Sequence, residues 1–108
     1  MTKNIIIVTT ESVPGRETAE ALGLVKGNTI QTRHIGSDIV AGLKSLIGGE
    51  IKGYVKAFTF AREEATERMR KEAEALDADA VICMRYSTSQ IMNGAAEILA
   101  YGTAVKLK

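Results

Sequence analysis

One cysteine, one proline, one histidine and no tryptophan stand among 108 residues. Cys83 has no cysteine to pair with inside the chain, which agrees with a reducing compartment. There are no paired cysteines and no two histidines one helical turn apart, so a single chain offers no strong soft-metal site. Charge of one sign is also missing. With 14 basic and 13 acidic residues the net charge is +1, without the electropositive excess that binding a phosphate backbone needs, and no nucleic-acid partner is expected. Ile5–Val8 is too short an apolar run for a signal-peptide core or a membrane span, so no membrane partner is expected and the cytoplasm is the expected compartment. The glycine pair Gly48 and Gly49 is followed by neither GxGxxG spacing nor the lysine and serine of a phosphate loop. Ser87 and Ser89 have no histidine near them in sequence, and His34 must serve every proposal that needs a base. No catalytic residue is assigned, and an enzyme with an unrecognised site is the least favoured class.

What is present is ordinary for a soluble protein: 45% hydrophobic and 25% charged residues, with ten glycines as the main punctuation. No repeat, linker or low-complexity stretch divides residues 1–108, which read as a single domain. The organising stretch is a long helix over 48–76. Tyr54, Phe58, Ala61, Ala65, Met69, Ala73 and Leu76 recur at steps of three or four and share one stripe. The other side carries Lys56, Arg62, Glu63, Glu67, Arg70, Lys71 and Glu74, with Glu64–Arg68 and Glu67–Lys71 spaced one turn apart in the favourable order.

Ile5–Thr10 is β-branched throughout and reads as a buried strand covered on both faces. Ser12–Gly15 is a turn around Pro14. Residues 16–25 favour helix over strand by propensity, whereas 29–33 look extended. Ser37 or Asp38 can cap a short helix through Leu46. Asp77–Asp79 breaks the long helix, and Ala80–Gln90 is extended again. Asn93–Gly94 then marks a two-residue hairpin turn. Centring the hairpin there sets Met92 opposite Ala95, Ser87 opposite Ala100, Arg85 opposite Gly102 and Cys83 opposite Ala104. One side then holds Ile82, Met84, Tyr86, Leu99, Tyr101 and Val105. The other holds Cys83, Arg85, Ser87, Ala100, Gly102 and Ala104. Pattern leaves open which side receives the helix. Apolar character on both sides offers more sticky surface than one sheet face can hide.

Thr9 and Thr10, the group Gly48, Gly49, Glu50 and Tyr54, Ala61, Arg62, Ala65, Arg68 and Met69, Ala78–Val81, Arg85, and the ending Tyr101–Val105 together resemble the YbjQ-like family almost from end to end. The resemblance implies an α+β fold of order β-β-α-α-β-β, an antiparallel sheet carrying two helices on one side. It implies that 16–25 is a strand and that several chains close into a ring, a homopentamer. The family carries a heavy-metal-binding label without a ligand motif to transfer.

Soft-metal donors are Cys83, His34 and the methionines 69, 84 and 92. Cys83 between Ile82 and Met84 reads first as a small buried hydrophobe, and Met69 and Met84 as core fillers. His34, in the loop Arg33–Gly36, reads first as structural or exposed. A ring repeats each residue, so Cys83 and His34 are the candidate metal ligands, gathered by symmetry, for a heavy-metal ion. Glu50, Tyr54, Arg85, Glu97 opposite Gln90, and Tyr101 are candidate structural or interface residues. The function expected is a ring-forming protein that binds a small ligand at its subunit interfaces, with metal binding as the alternative.

Overall fold

The computed structural model describes residues 4–32, 49–92 and 94–108, with the side chains of 32 and 49–54 left aside. The elements are β1 (Ile6–Ile7), β2 (Thr18–Thr32), α1 (Gly49–Ala75), β3 (Ala80–Met92) and β4 (Ala95–Leu107). They form a four-stranded sheet of order β1-β3-β4-β2 with the helix across it. The short helix expected up to Leu46 lies outside the described residues, so one helix is seen among them.

Helix α1 follows its periodicity. Ala61, Ala65, Met69 and Ala73 are fully buried, and Phe58 packs against the same cluster. The stripe ends one step early, because Leu76 is 43% exposed. The chain has already turned there: Asp77 N–H donates to Glu74 O (2.9 Å) and Ala78 N–H to Ala73 O (3.1 Å). This is the paired bonding of a Schellman ending, with Asp77 at φ 58° and Ala73 and Ala78 both buried beside the motif. On the outer side Arg68 lies 3.4 Å from Glu64, as the spacing anticipates. Glu67, expected to meet Lys71, is instead bonded by Nε and Nη2 of Arg70, whose Nη1 donates to Glu74 at 2.9 Å.

Strand β2 joins most of the segment that favoured helix by propensity to the one that looked extended, in one run of 15 residues, Thr18–Thr32. Helix propensity at 16–25 loses to pairing with β4, from Thr18 opposite Leu107 to Thr32 opposite Ala95. The sheet is mixed rather than antiparallel throughout, since β1 runs parallel to β3. Its first strand is also thinner than expected. Ile5 is buried but Ile6 is 38% exposed, so the segment is not covered on both faces.

The hairpin closes with Met92 opposite Ala95, but its register then slips twice. One shift lies between Gln90 and Met92 and one between Ile82 and Arg85. Ser87 therefore meets Leu99, Tyr86 meets Ala100, Arg85 meets Tyr101 and Val81 meets Ala104. Each extra residue on β3 inverts the alternation beyond it. Met84 thus joins Ala100 and Ala104 beneath the helix, and Tyr86 bonds Thr66 of α1 at 2.7 Å. Arg85 and Ser87 move to the opposite face with Tyr101 and Leu99.

The helix therefore sits on the low side of β4. Val25, Gly27 and Thr29 of β2 extend that floor, and Thr29 Oγ1 donates to Ala61 O at 3.2 Å. On the reverse face Val13, Ala80 and Val105 form a smaller cluster with Val8, Ile82 and Leu107. It covers only the β1 end of that face. Toward the hairpin, Leu24 (64% exposed) and Ile30 (51%) stand open beside the β4 row of Glu97, Leu99, Tyr101 and Thr103.

Candidate functional site

Cys83, Arg85 and Tyr101 come together at the second register shift. Cys83 and Met84 together oppose Gly102, and Cys83 takes φ 55° to make the extra residue fit. A Cβ at 102 would lie 2.6 Å from Val81 Cγ1, 3.0 Å from Ile82 O and 3.3 Å from Met84 Cα. The bulge is folded over the space where a side chain is missing. Cys83 is half-buried rather than enclosed, a consequence of leaving the strand's regular alternation.

The chain leaving β1 is bonded along this bulge. Val8 N–H donates to Val81 O (2.9 Å), Met84 N–H to Val8 O (3.0 Å) and Cys83 N–H to Thr10 O (2.9 Å). Arg85 completes the clasp, with Nη1 donating to Thr9 O and Met84 O, each at 2.8 Å. Its guanidinium holds one carbonyl of the segment after β1 and one of β3, a structural task that a flexible ammonium would meet less well. It does not lie over Gly102 as the simple register implied.

On the open face, register places Lys26, Tyr101 and Arg85 in one row, and Asn28, Leu99 and Ser87 in the next. Ile30, Glu97 and Ser89 follow. Glu97 is not opposite Gln90. Its Oε2 accepts a hydrogen bond from Asn28 Nδ2 at 3.0 Å. Lys26 and Asn28 were not singled out by sequence; the pairing of β2 with β4, which a hairpin signal does not encode, brings them here.

His34 lies outside the described residues, as do the side chains of Glu50 and Tyr54, whose backbone belongs to α1. No group of three or more His, Cys, Asp or Glu able to hold a metal is found among the described residues. Their donors do not assemble a soft-metal set within one chain: Cys83 sits on the bulge, Met69 and Met84 are in the core and Met92 is at the hairpin end. Electrostatic perturbation also falls elsewhere. The hydrogen bond from Arg70 holds the Glu67 carboxyl below its usual range, and the same bond raises the Arg70 guanidinium above its own. Both belong to the solvated helix face, where structural ion pairs are common. No helix among the described residues is long and apolar enough to cross a membrane.

Comparison with known proteins adds a frame to this geometry. A solved structure of a protein of unknown function from Pediococcus pentosaceus, assigned to the DUF74 family, is similar with a TM-score of 0.66 over 96% of this chain and 98% of that one. At 18% identity the likeness concerns the fold. Curated relatives are far closer in sequence. A UPF0145 protein of Archaeoglobus fulgidus is 59% identical over 108 residues, covering all of both chains. One of Thermotoga maritima is 62% identical over 104 residues, covering 96% of this chain and 98% of its own. One of Vibrio campbellii is 55% identical over 103 residues, covering 95% and 99%. The family model described as "Putative heavy-metal-binding" matches residues 5–108. The chain therefore belongs to the YbjQ-like family, whose curated members here are the uncharacterised UPF0145 proteins.

Proposed function

We propose that this protein is a subunit of a cytoplasmic homo-oligomeric ring, a pentamer, and that it binds a small ligand at the seams between subunits. The supporting observation is the open face of the sheet. Leu24 and Ile30 are largely exposed there, next to Leu99 and Tyr101, while the helix is spent on the other side. A lone copy keeps this apolar surface in water, and contact with a second copy removes it. The row Lys26, Tyr101, Arg85 supplies polar and aromatic groups at the same face, the composition of a seam that can also hold a ligand. Native mass spectrometry of the purified protein tests both halves together. A multiple of 11.6 kDa carrying a constant extra mass supports the reading, and a bare monomer removes it.

The family description favours a second reading, metal binding with donors repeated around the ring. Cys83 is its thiol, half-buried and not committed to a disulfide. Titration with zinc, copper and cadmium separates the two. Uptake that disappears in Cys83→Ser or His34→Ala supports the metal, and no uptake below millimolar concentration removes it.

A further inference from the structure

Strand β2 ends the sheet, and a 15-residue edge strand is a template on which a second strand can add. Its ladder with β4 uses alternate residues, so the N–H and C=O groups between them point away from the sheet. Two of these outward groups are taken by the helix. Lys26 N–H donates to Glu72 Oε1 at 3.1 Å, and Arg68 Nη1 donates to Asn28 O at 2.6 Å.

The reach of both side chains depends on a missing third. A Cβ at Gly27 would stand 2.3 Å from Ala65 O and from Met69 N, and 2.7 Å from Arg68 Cβ. The helix backbone therefore comes down on the strand at 27, between the two outward residues it serves. Glu64, 3.4 Å from Arg68 Nε, steadies the guanidinium on the helix before it crosses to the edge. The rest of the edge is short or irregular. Register shifts between Thr18 and Glu20 and between Ala21 and Gly23 break its first part, and beyond Asn28 the regular pairing runs four residues, Thr29–Thr32, to the end of the strand.

We propose that Arg68 and Glu72 are an edge guard: by occupying Asn28 O and Lys26 N–H they bar a second copy of this chain from adding a strand along β2. The guard confines self-association to the open face. Both contacts are exposed to solvent, so the guard is a reversible closure rather than a buried lock.

The test is Arg68→Ala with Glu72→Ala in the full chain. Amide exchange at Lys26 should quicken about fivefold to tenfold, the factor expected from losing one net hydrogen bond. Thioflavin-positive, concentration-dependent assemblies should then form where the unaltered protein gives none. The proposal is overturned if Lys26 exchanges at the unaltered rate, or if it exchanges faster while no new assembly forms. Should the double variant lose its far-ultraviolet circular dichroism, Arg68→Met with Glu72→Met replaces it with the same readouts, keeping both side-chain stems and removing the donor to Asn28 O and the acceptor of Lys26 N–H. The mass of the unaltered protein, which tests the ring, is read separately.

Discussion

Gly27 lies directly beneath the backbone of Met69, so that a Cβ on the strand would stand 2.3 Å from the helix nitrogen. The neighbour is main chain and cannot rotate aside. Gly27→Ala should therefore lift α1 from the sheet and cost about 3 kcal/mol, the upper range for overpacking. Gly102→Ala meets a side chain first, Val81 Cγ1 at 2.6 Å, and should cost less, about 1–2 kcal/mol. Urea unfolding of the two variants gives the order.

Asp77 closes the helix in a left-handed conformation that glycine adopts without strain, and it also accepts a hydrogen bond from Lys106 at 2.7 Å. Asp77→Gly exchanges an exposed ion pair for backbone relief and should leave stability within about 1 kcal/mol. Asp77→Val keeps neither and should lower it by about 1–2 kcal/mol. Thermal unfolding distinguishes the pair.

Glu67 should titrate below an ordinary glutamate because Arg70 bonds its ionised form. Since the folded value is the depressed one, the stabilising contribution is complete above the unfolded carboxylate value. It fades as pH falls through the lowered folded value. A carbon-detected NMR titration should show the low midpoint, and Arg70→Ala should return it to the ordinary range.

Arg85 ties Thr9 O to Met84 O, and the bulge holds Thr10 through Cys83 N–H. Arg85→Ala should raise amide exchange at Cys83 and Met84 ahead of the rest of β3. The loss of stability should be about 1 kcal/mol, modest because the side chain is exposed.

The helix was legible because a long 3.6-residue period needs no partner to be recognised, and Ala61, Ala65, Met69 and Ala73 all lie where it puts them. The turn at Asn93–Gly94 was legible in its consequence, Met92 opposite Ala95. What failed was counting onward from that turn. A register shift leaves no mark in composition, and the one between Gln90 and Met92 moved Arg85 from Gly102 to Tyr101 and carried Met84 and Tyr86 beneath the helix. The parallel pairing of β1 with β3 was hidden for a related reason, since it depends on contacts more than 70 residues apart. The strand at 16–25 became legible only through family likeness; propensity pointed the other way. Of the candidate site, the chain order gave Arg85, Glu97 and Tyr101 but not Lys26 and Asn28, which reach the same face through β2.

The apolar open face makes the most exposed claim: that the folded chain is incomplete until it meets its neighbours. Light scattering on a size-exclusion column at micromolar concentration addresses it directly, with Leu24→Glu and Ile30→Glu together as the comparison. A mass about five times 11.6 kDa that falls toward a single chain in the charged variant is the expected result. A single-chain mass for the unaltered protein, across that concentration range, would contradict it.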